Sequence, residues 1–472
     1  MRSPIIKLNI SDMKIKQSVT STKFYSPRAT LCAIGIKLRS LKFFDTLAEH
    51  LHVRQKTIHH TPMEKLTDAF IAILSGAHGL SEINTRVRTD TALQRAFGRN
   101  SCAEQSVVQE TLDACTSQNI SQMKRAFKAL LKAHGRSYRH PYKDKLQLLD
   151  VDMTGLPCGR KAEKASKGYF ANKPHRYGRQ MARVIAAHYE EIISDCVLPG
   201  NVQLNKVLRP LVEEMEVTLD LDREKRSRTV LRIDAGGGSL NDVNWLLARG
   251  YQIHSKDCSL QRAAGIAPTV KEWFPDPLHP GRQVGWATCG SHDYERELRR
   301  LIVRWRKRNG QECFAALLST LTPRQVFDLL DQSPKLLHDR RAVALAYAYL
   351  YDKRGGTIEI EFKEDKQGFG LTKRNKKRYA AQQMVVLLSA LAHNVVVWSR
   401  GWLSRETSKI KKNGVLRMVR DIFTVSGFLE IGAKEAIKRI VLSNAAAWAR
   451  RCANSLRALL KRQHVRVSLG ET

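Results

Sequence analysis

Five short apolar runs between residues 146 and 258 constrain the fold of this chain most strongly. Three runs follow one another closely, and each of the last two is preceded by a predicted helix. The predicted strands cover residues 146–152, 180–187, 191–198, 229–234 and 251–258. Closely spaced strands favour an antiparallel meander, whereas strands joined through helices can run parallel. The order therefore predicts a mixed α/β sheet.

Two of these predicted strands end in an aspartate. Asp152 ends the first strand, and Asp234 ends the fourth, immediately before Ala235 and three glycines. Strand ends can converge although they are distant in sequence, and carboxylate oxygens are the ligands that Mg²⁺ and Mn²⁺ prefer. Asp150 lies on the same strand face as Asp152 and is the alternative first ligand. A reading in which the aspartates only cap turns also stays open, because Asp is common at such positions.

The stretch 351–371 supplies a third carboxylate between two pairs of glycines. Thr357 is the predicted N-cap of a helix over residues 358–367, which the later glycines terminate. On a 3.6-residue period Glu359 and Lys366 fall on one face of this helix. The sequence therefore predicts an acidic and a basic group along one stripe.

Tyr351 and Arg354 lie just upstream of that helix. A carboxylate beside such groups suits a site that holds a divalent cation and grips phosphates on either side. Glu361 and Glu364 fall on other helix faces and are predicted to be solvated. The competing interpretation is that alternating Glu and Lys simply form a solvated helix face.

The charge balance indicates a polyanionic partner. Lysine and arginine number 80 against 45 acidic residues, which gives a formal net charge of +35. Nucleic acid is the first candidate, and a membrane is disfavoured because no run reaches the roughly 18 apolar residues of a spanning helix. The first residues lack a signal-peptide pattern, which predicts a cytoplasmic protein. The nine cysteines form no C-x-x-C pair. Cys289 and His292 form a single C-x-x-H pair, which without a second pair does not predict a zinc site.

Helical periodicity dominates both ends of the chain. Residues 1–25 are predicted to form a loose basic arm, followed by helices as far as residue 135. Segments 89–98 and 103–115 have the outline of a helix-turn-helix. The outward residues of its second helix are Glu104, Gln105, Gln109 and Glu110. A long helix over residues 376–397 and a basic helical tail are predicted to follow the acidic stretch.

These motifs together resemble the DDE-type insertion-sequence transposases, in the branch with a Tyr-Arg-Glu-Lys signature and a β-rich insertion. The likeness is carried by DMTGL from Asp152, LRIDAGGG around Asp234, and the residues Tyr351, Arg354, Glu359 and Lys366. It implies an RNase H-like core in which Asp152, Asp234 and Glu359 bind two Mg²⁺ or Mn²⁺ ions and are catalytic. Tyr351, Arg354 and Lys366 would contact phosphates of the transposon ends. The family leaves three residues between its Arg and Glu, whereas this chain has four.

The resemblance also implies a division of the chain. The regions are 1–140, a helical DNA-binding region; 145–267, the first part of the core; 268–345, a β-rich insertion; 346–400, the second part of the core; and 401–472, a basic helical tail. Trp273, Trp286 and Trp305 are candidates for stacking on a flipped base, although tryptophans more often lie in a core.

The implied partners are double-stranded DNA at element ends and target sites, and a second copy in a dimeric synaptic complex. A bacterial, nucleoid-associated location follows, with no membrane and no nucleotide cofactor, because the glycine loop after Asp234 matches no phosphate-binding motif. Two alternatives remain: a Mg²⁺-dependent nuclease or resolvase on the same fold, and a catalytically inactive basic DNA-binding protein.

Overall fold

The computed structural model describes residues 22–170, 173–288, 293–432 and 436–470, within which the strands form a ten-stranded and a four-stranded sheet. In chain order the strands are β1 (Thr22–Ser26), β2 (Gln147–Pro157), β3 (Ser166–Phe170), β4 (Lys173–Ala186), β5 (Glu191–Pro199), β6 (Thr229–Ile233), β7 (Gln252–Lys256), β8 (Phe274–Pro275), β9 (Gln283–Trp286), β10 (Arg299–Arg306), β11 (Glu312–Ser319), β12 (Gly427–Ile431), β13 (Ile437–Ser443) and β14 (Arg466–Gly470).

Helices precede, connect and cover the sheets. The first group is α1 (Ala29–Ser40), α2 (Phe43–His50), α3 (Pro62–Leu74), α4 (Ile83–Arg86), α5 (Thr91–Ala96), α6 (Gln105–Asp113) and α7 (Ser117–His134). The second is α8 (Leu208–Leu219), α9 (Arg223–Ser227), α10 (Leu240–Ala248) and α11 (Leu260–Ile266). The third is α12 (Pro323–Leu330), α13 (Arg340–Asp352), α14 (Ile360–Gly368), α15 (Tyr379–Leu403), α16 (Val415–Arg417) and α17 (Ala449–Leu460).

The larger sheet is mixed, as predicted. Strands β5, β4 and β2 are antiparallel neighbours, whereas β2, β6 and β7 run parallel. Helices α8 and α10 provide the crossovers that parallel strands require. Ser239 caps α10, since its hydroxyl accepts a hydrogen bond from the Asp242 N–H at 3.2 Å. The order through this part of the sheet is therefore β5-β4-β2-β6-β7.

Region 268–345 extends the same sheet. Asn309-Gly310 is a dipeptide typical of hairpin turns, and around it β10 and β11 pair antiparallel, with Gly310 at a φ of 81°. Strand β11 then pairs with β7, which adds β11, β10, β9 and β8 to the edge of the larger sheet. After β11 the chain is helical, so this region is not β-rich throughout.

Helix α15 packs through the centre of the protein. It has the length and apolar composition of a membrane span, but 89% of the relevant window is buried inside the protein. Gln382, His393 and Asn394 are buried too, and each hydrogen bonds to neighbouring protein atoms. Its apolar surface is thus covered by the fold.

Two predictions for the chain ends were wrong in part. Residues 1–21 lie outside the described part, but residues 22–25 belong to β1, which pairs with β12 and is not a loose arm. The tail 401–472 contains β12, β13 and β14 as well as α17, so it is not simply helical. Pairing between strands about 400 residues apart, such as Thr22 with Ile431, leaves little signal in local periodicity.

The predicted helix over 358–367 starts differently. A π-helical turn, Gly355–Glu359, lies between α13 and α14, and both Arg354 and Glu359 keep right-handed helical angles. Thr357 is therefore not an N-cap, because the backbone is already helical on both sides of it. Its hydroxyl instead donates to Asp150. The helix ends at Gly368, and Gly370 follows with a φ of 62°, as the glycine pair predicts.

Candidate active site

The parallel pairing of β2 and β6 brings two predicted aspartates to the same edge of the sheet. Val151 is opposite Ile233 in the strand register, so Asp152 and Asp234 are the next residues on each strand path. Asp152 continues along β2, whereas Asp234 is the first residue beyond β6. The prediction that the strand ends at Asp152 was wrong, because β2 continues to Pro157, but both carboxylates lie at the same level of two adjacent strands.

The π-helical turn brings the third carboxylate to this edge. Arg354 precedes the turn, and its guanidinium is 3.0 Å from the Asp152 carboxylate and 3.3 Å from that of Glu359. A π turn closes its hydrogen bonds one residue later than an α turn, so it accommodates one additional residue. The additional residue between Arg354 and Glu359 therefore does not prevent their contact.

The remaining predicted residues line the same place. The Tyr351 hydroxyl donates to Asp234 at 3.1 Å, and the Lys366 ammonium donates to Thr154 at 2.5 Å. An open cleft of about 330 Å³ lies between the end of β2 and α14. It is lined by Asp152, Met153, Thr154, Glu359, Phe362, Lys363, Lys366 and Gln367. Three of the six sequence-predicted site residues, Asp152, Glu359 and Lys366, thus line the cleft. Arg354 contacts two of them, and Tyr351 bonds Asp234 on the neighbouring strand path.

Acidic and basic side chains adjoin one another in this cleft and shift each other's pKa values. Burial raises the pKa of Asp152 to about 6; Arg354 opposes that rise, whereas Asp234 and Glu359 add to it. Burial also lowers the pKa of Lys366. The Arg354 guanidinium therefore pairs with two carboxylates, Asp152 and Glu359, while Asp234 adds a third negative charge that repels Asp152; a bound cation relieves this kind of repulsion.

Asp150, the alternative first ligand, is committed elsewhere. It is fully buried, and the Arg232 guanidinium donates to both of its oxygens at 2.5 and 2.7 Å. Arg232 also donates to the Leu350 carbonyl, and Thr357 donates to Asp150. This network ties the end of α13 and the π-helical turn to the sheet. Asp150 is thus a positioning residue for Tyr351 and its neighbours.

A second network holds α14, and sequence reasoning missed it. We call it the buried charge cluster, and its members are Arg183, Asp195, Glu361, Asp365 and His393. Arg183 bonds Asp195 at 2.7 and 2.8 Å and Asp365 at 2.6 Å, and His393 bonds Asp365 at 2.8 Å. The prediction that Glu361 is solvated was wrong, because it is 5% exposed and packs 3.3 Å from His393.

The cluster fixes the direction of α14. Asp365 and Glu361 lie on the helix face opposite to the cleft, so their contacts turn Glu359 and Lys366 toward Asp152 and Thr154. Burial alone would lower the pKa of His393, but the Asp365 and Glu361 carboxylates raise it to about 9. Protonated His393 therefore balances part of the acidic charge. Glu361 and Asp365 are four residues apart on a helix rich in charged residues, so their spacing does not distinguish a buried pair from a solvated one.

The fit of a divalent cation depends on the donor set. Among the described residues, no group of three or more His, Cys, Asp or Glu side chains is close enough to hold a metal ion. Instead, the Arg354 guanidinium joins Asp152 to Glu359. The donors are nevertheless hard carboxylate oxygens with excess negative charge, which fits Mg²⁺ or Mn²⁺.

Other predicted sites are less clearly functional. In α6, Gln109 accepts a hydrogen bond from Lys376 at 2.6 Å, while Glu104 and Glu110 are exposed. Trp273 lies beneath the Arg304 guanidinium at 4.2 Å, Trp286 packs edge-on against Tyr347, and Trp305 is half-buried. Cys289 and His292 lie outside the described residues. A larger cavity of about 670 Å³ is at the opposite end of β2, beside Leu146, and mixes both signs of charge.

Comparisons with known proteins include a likeness to a solved structure. No family model matches the chain, and no curated protein matches it. A cryo-EM structure of a piggyBac transposase synaptic complex with hairpin DNA is similar, with a TM-score of 0.41 and 13% sequence identity. The likeness covers 82% of this chain and 80% of that chain. A likeness with a TM-score of 0.41 and 13% identity does not assign the chain to a family.

Proposed function

We propose that this chain is a DNA transposase of the DDE insertion-sequence type. It would bind the terminal inverted repeats of its element and catalyse metal-dependent strand cleavage and strand transfer. The observation that carries the proposal is that residues from three distant segments adjoin one another: Arg354 joins Asp152 to Glu359, and Tyr351 of the same segment donates to Asp234. A net charge of +35 supports a DNA partner.

The sheet supports an RNase H-like core. Its order β5-β4-β2-β6-β7 begins with an antiparallel meander and ends with two parallel strands reached through α8 and α10. In open sheets with parallel strands, ligands bind beyond the carboxyl ends of the strands. Asp234 occupies that position on β6, and Asp152 lies on the neighbouring β2 at the level where β6 ends. Strands β8 to β11 and helices α12 and α13 would form the insertion before Glu359.

Each chain residue has a specific role in this proposal. Asp152, Asp234 and Glu359 would hold Mg²⁺ or Mn²⁺, two ions per site, and such ions activate an attacking oxygen and stabilise the leaving oxygen of a phosphodiester. Tyr351 orients the Asp234 carboxylate through its hydroxyl. Arg354 carries a permanent positive charge that suits phosphate as well as carboxylate. Lys366, held by Thr154, faces the cleft where a DNA phosphate would lie.

The binding partners follow from the same charge distribution. We propose that double-stranded DNA reaches the cleft as element end and as target, in a dimeric synaptic complex. The exposed residues of α6, Glu104 and Glu110, belong to a helix pair that would read the DNA sequence. The protein would act in the bacterial cytoplasm, where the nucleoid is accessible.

Cleavage of DNA that carries the flanks of the gene tests this function. With Mg²⁺, the wild type should nick the element ends and join them to a target duplex, and EDTA should abolish both reactions. Asp152→Asn and Glu359→Gln should lose at least about a thousandfold in cleavage rate while still binding the ends, because they remove only charged ligands. Glu364→Gln is the matched control, since Glu364 lies on another face of α14.

The alternatives give different results in the same assay. A nuclease or resolvase would cut without joining ends to target DNA. An inactive DNA-binding protein would bind with or without Mg²⁺ and cut nothing. Cleavage that survives both Asp152→Asn and Glu359→Gln would reject the proposed catalytic residues.

A further inference from the structure

The smaller sheet presents one face to solvent, and that face carries aromatic and basic side chains. The strand order is β1-β12-β13-β14, and its other face packs on the core through Leu429, Ile440 and Leu442. On the open face, Tyr25 of β1 is directly opposite Phe428 of β12. They are 56% and 47% exposed, which is unusual for large aromatic side chains.

The two rings form a fixed pair. Their centroids are 5.4 Å apart with an interplanar angle of 62°, an edge-to-face arrangement that leaves ring faces open. The pair lies within the paired segment of β1 and β12, one position from its end, so the backbone ladder fixes both Cα positions. The strand register places Val441 and Ser468 in the same row, and neither has a side chain that would cover the rings.

A basic row runs beside the aromatic pair. The register aligns Lys23, Glu430, Arg439 and Arg466 across the four strands. Lys23 is 68% exposed, Arg439 is 43% exposed, and each lies more than 3.5 Å from the single acidic residue of the row, Glu430. Arg439 is oriented by Ser468, whose hydroxyl accepts its N–H groups at 2.9 and 3.2 Å. Three cations against one carboxylate leave the row positively charged.

We propose that this face, which we call the aromatic sheet face, binds single-stranded DNA. Sequence-tolerant binding of single strands combines base stacking on aromatic side chains with cations that follow the phosphates. Four-stranded sheets that expose aromatic residues use the same principle for unpaired bases. A duplex hides its base faces, so the exposed rings favour an unpaired strand. The choice of DNA over RNA rests on the proposed function. The inference that this face binds an unpaired strand rests only on its exposed rings and cations.

The charge pattern argues against the other occupants of an exposed apolar face. A second copy of this chain would bring the same positive row against itself, since a twofold interface uses the same patch on both subunits. A single strand instead offers a polyanion whose phosphate spacing can follow the row. The face would retain the displaced strand during the proposed reaction, away from the carboxylate cleft.

The test uses the full chain and a fluorescent oligothymidylate of about 15 nucleotides, in EDTA so that no cleavage occurs. Phe428→Leu keeps apolar area but removes the ring, and it should weaken binding by roughly five- to hundredfold, as loss of base stacking does. Phe428→Trp should restore the affinity. Leu336→Ala is the matched control, because Leu336 is also 47% exposed but lies elsewhere. Equal thermal midpoints of all variants would exclude misfolding.

Several outcomes would overturn the inference. Equal oligonucleotide affinity of wild type and Phe428→Leu would remove the stacking role, and tighter binding of the matching RNA would reject DNA as the occupant. Concentration-dependent dimers that Phe428→Leu abolishes, without an effect on the oligonucleotide, would make the face a subunit interface. Oligonucleotide binding is measured without metal ions and requires no cleavage. A negative cleavage assay therefore does not overturn single-strand binding by this face. Loss of single-strand binding, in turn, does not overturn the proposed cleavage activity.

Discussion

The buried charge cluster and the carboxylate cleft occupy the same face of the larger sheet, since Arg183 and Asp152 are directly opposite each other in the strand register. The cluster pairs Arg183 and protonated His393 with its acids and excludes solvent. The cleft has Arg354 and Lys366 beside three carboxylates, and its Glu359 side chain is 60% exposed. Buried and mutually paired charges therefore build the scaffold, whereas carboxylates open to solvent mark the place where a cation can act.

The comparison is clearest for Asp150 and Asp152, and the loss of stability in the Asp150 variant is the largest effect that we expect. Asp150→Ala removes the partner of buried Arg232 and should lower the free energy of unfolding by about 3–5 kcal/mol. Asp152→Ala should change the free energy of unfolding by less than about 1 kcal/mol. Glu359 also pairs with Arg354, and burial already disfavours the charged form of Asp152. Urea denaturation of both variants measures the difference. Equal losses would show that the two aspartates play the same structural role.

Tyr351→Phe tests whether the Asp234 carboxylate needs its hydrogen bond. A hydrogen bond to a charged group contributes about 1.5–3 kcal/mol, so cleavage should fall by roughly 10- to 100-fold while the fold is retained. Tyr349→Phe is the matched control, because Tyr349 donates to Asp276 at 2.8 Å, outside the cleft. Unchanged cleavage in Tyr351→Phe would remove this tyrosine from the site.

Local sequence patterns predicted the centre of the molecule better than its ends. The strand end at Asp234 and the hairpin at Asn309 and Gly310 depend on short apolar runs and turn residues, which a sequence displays directly. The strand end predicted at Asp152 was wrong, because β2 continues through Met153 and Thr154 to Pro157. Strand β1 pairs with β12 across most of the chain, and no local pattern reports such a partner. The sequence therefore predicted the mixed core sheet but missed the second sheet.

The same distinction applies to the site. Spacing on a helix identified Glu359 and Lys366, and the short apolar runs that lead into Asp152 and Asp234 identified both aspartates. The burial of Glu361 depends on His393, which reaches it from another helix, and the pairing of Asp150 depends on Arg232 in the neighbouring strand. The π-helical turn could not be predicted either, because an additional residue in a helix can equally well form a loop.

The charge of His393 gives a pH test of the buried charge cluster. Its pKa is raised to about 9 in the folded protein, above the usual value near 6.5 in an unfolded chain. Its contribution to stability is therefore complete below about pH 6.5 and is lost as the pH rises through about 9. His393→Gln should lower the thermal midpoint by about 2 °C or more at pH 6 and by less at pH 9.5. A constant difference across that range would mean that His393 is neutral.

Lys366→Ala should have the smallest effect. If Lys366 contacts one DNA phosphate, its removal should reduce the slope of log affinity against log salt concentration by about 0.9. Lys353→Ala is the control, since Lys353 is exposed on the preceding turn and does not line the cleft. Titrations of duplex element ends at several salt concentrations measure both slopes, and identical slopes would place Lys366 off the DNA path.

Binding of Mn²⁺, measured by electron paramagnetic resonance in the presence of uncleaved element-end DNA, tests the carboxylate cleft most directly. The wild type should bind two ions per chain, and Asp152→Asn, Asp234→Asn and Glu359→Gln should each weaken that binding at least about tenfold, as loss of a charged ligand does. Asp195→Asn, in the buried charge cluster, should leave the number of bound ions unchanged. Mn²⁺ binding that is the same in the wild type and in all three cleft variants would contradict a shared metal site.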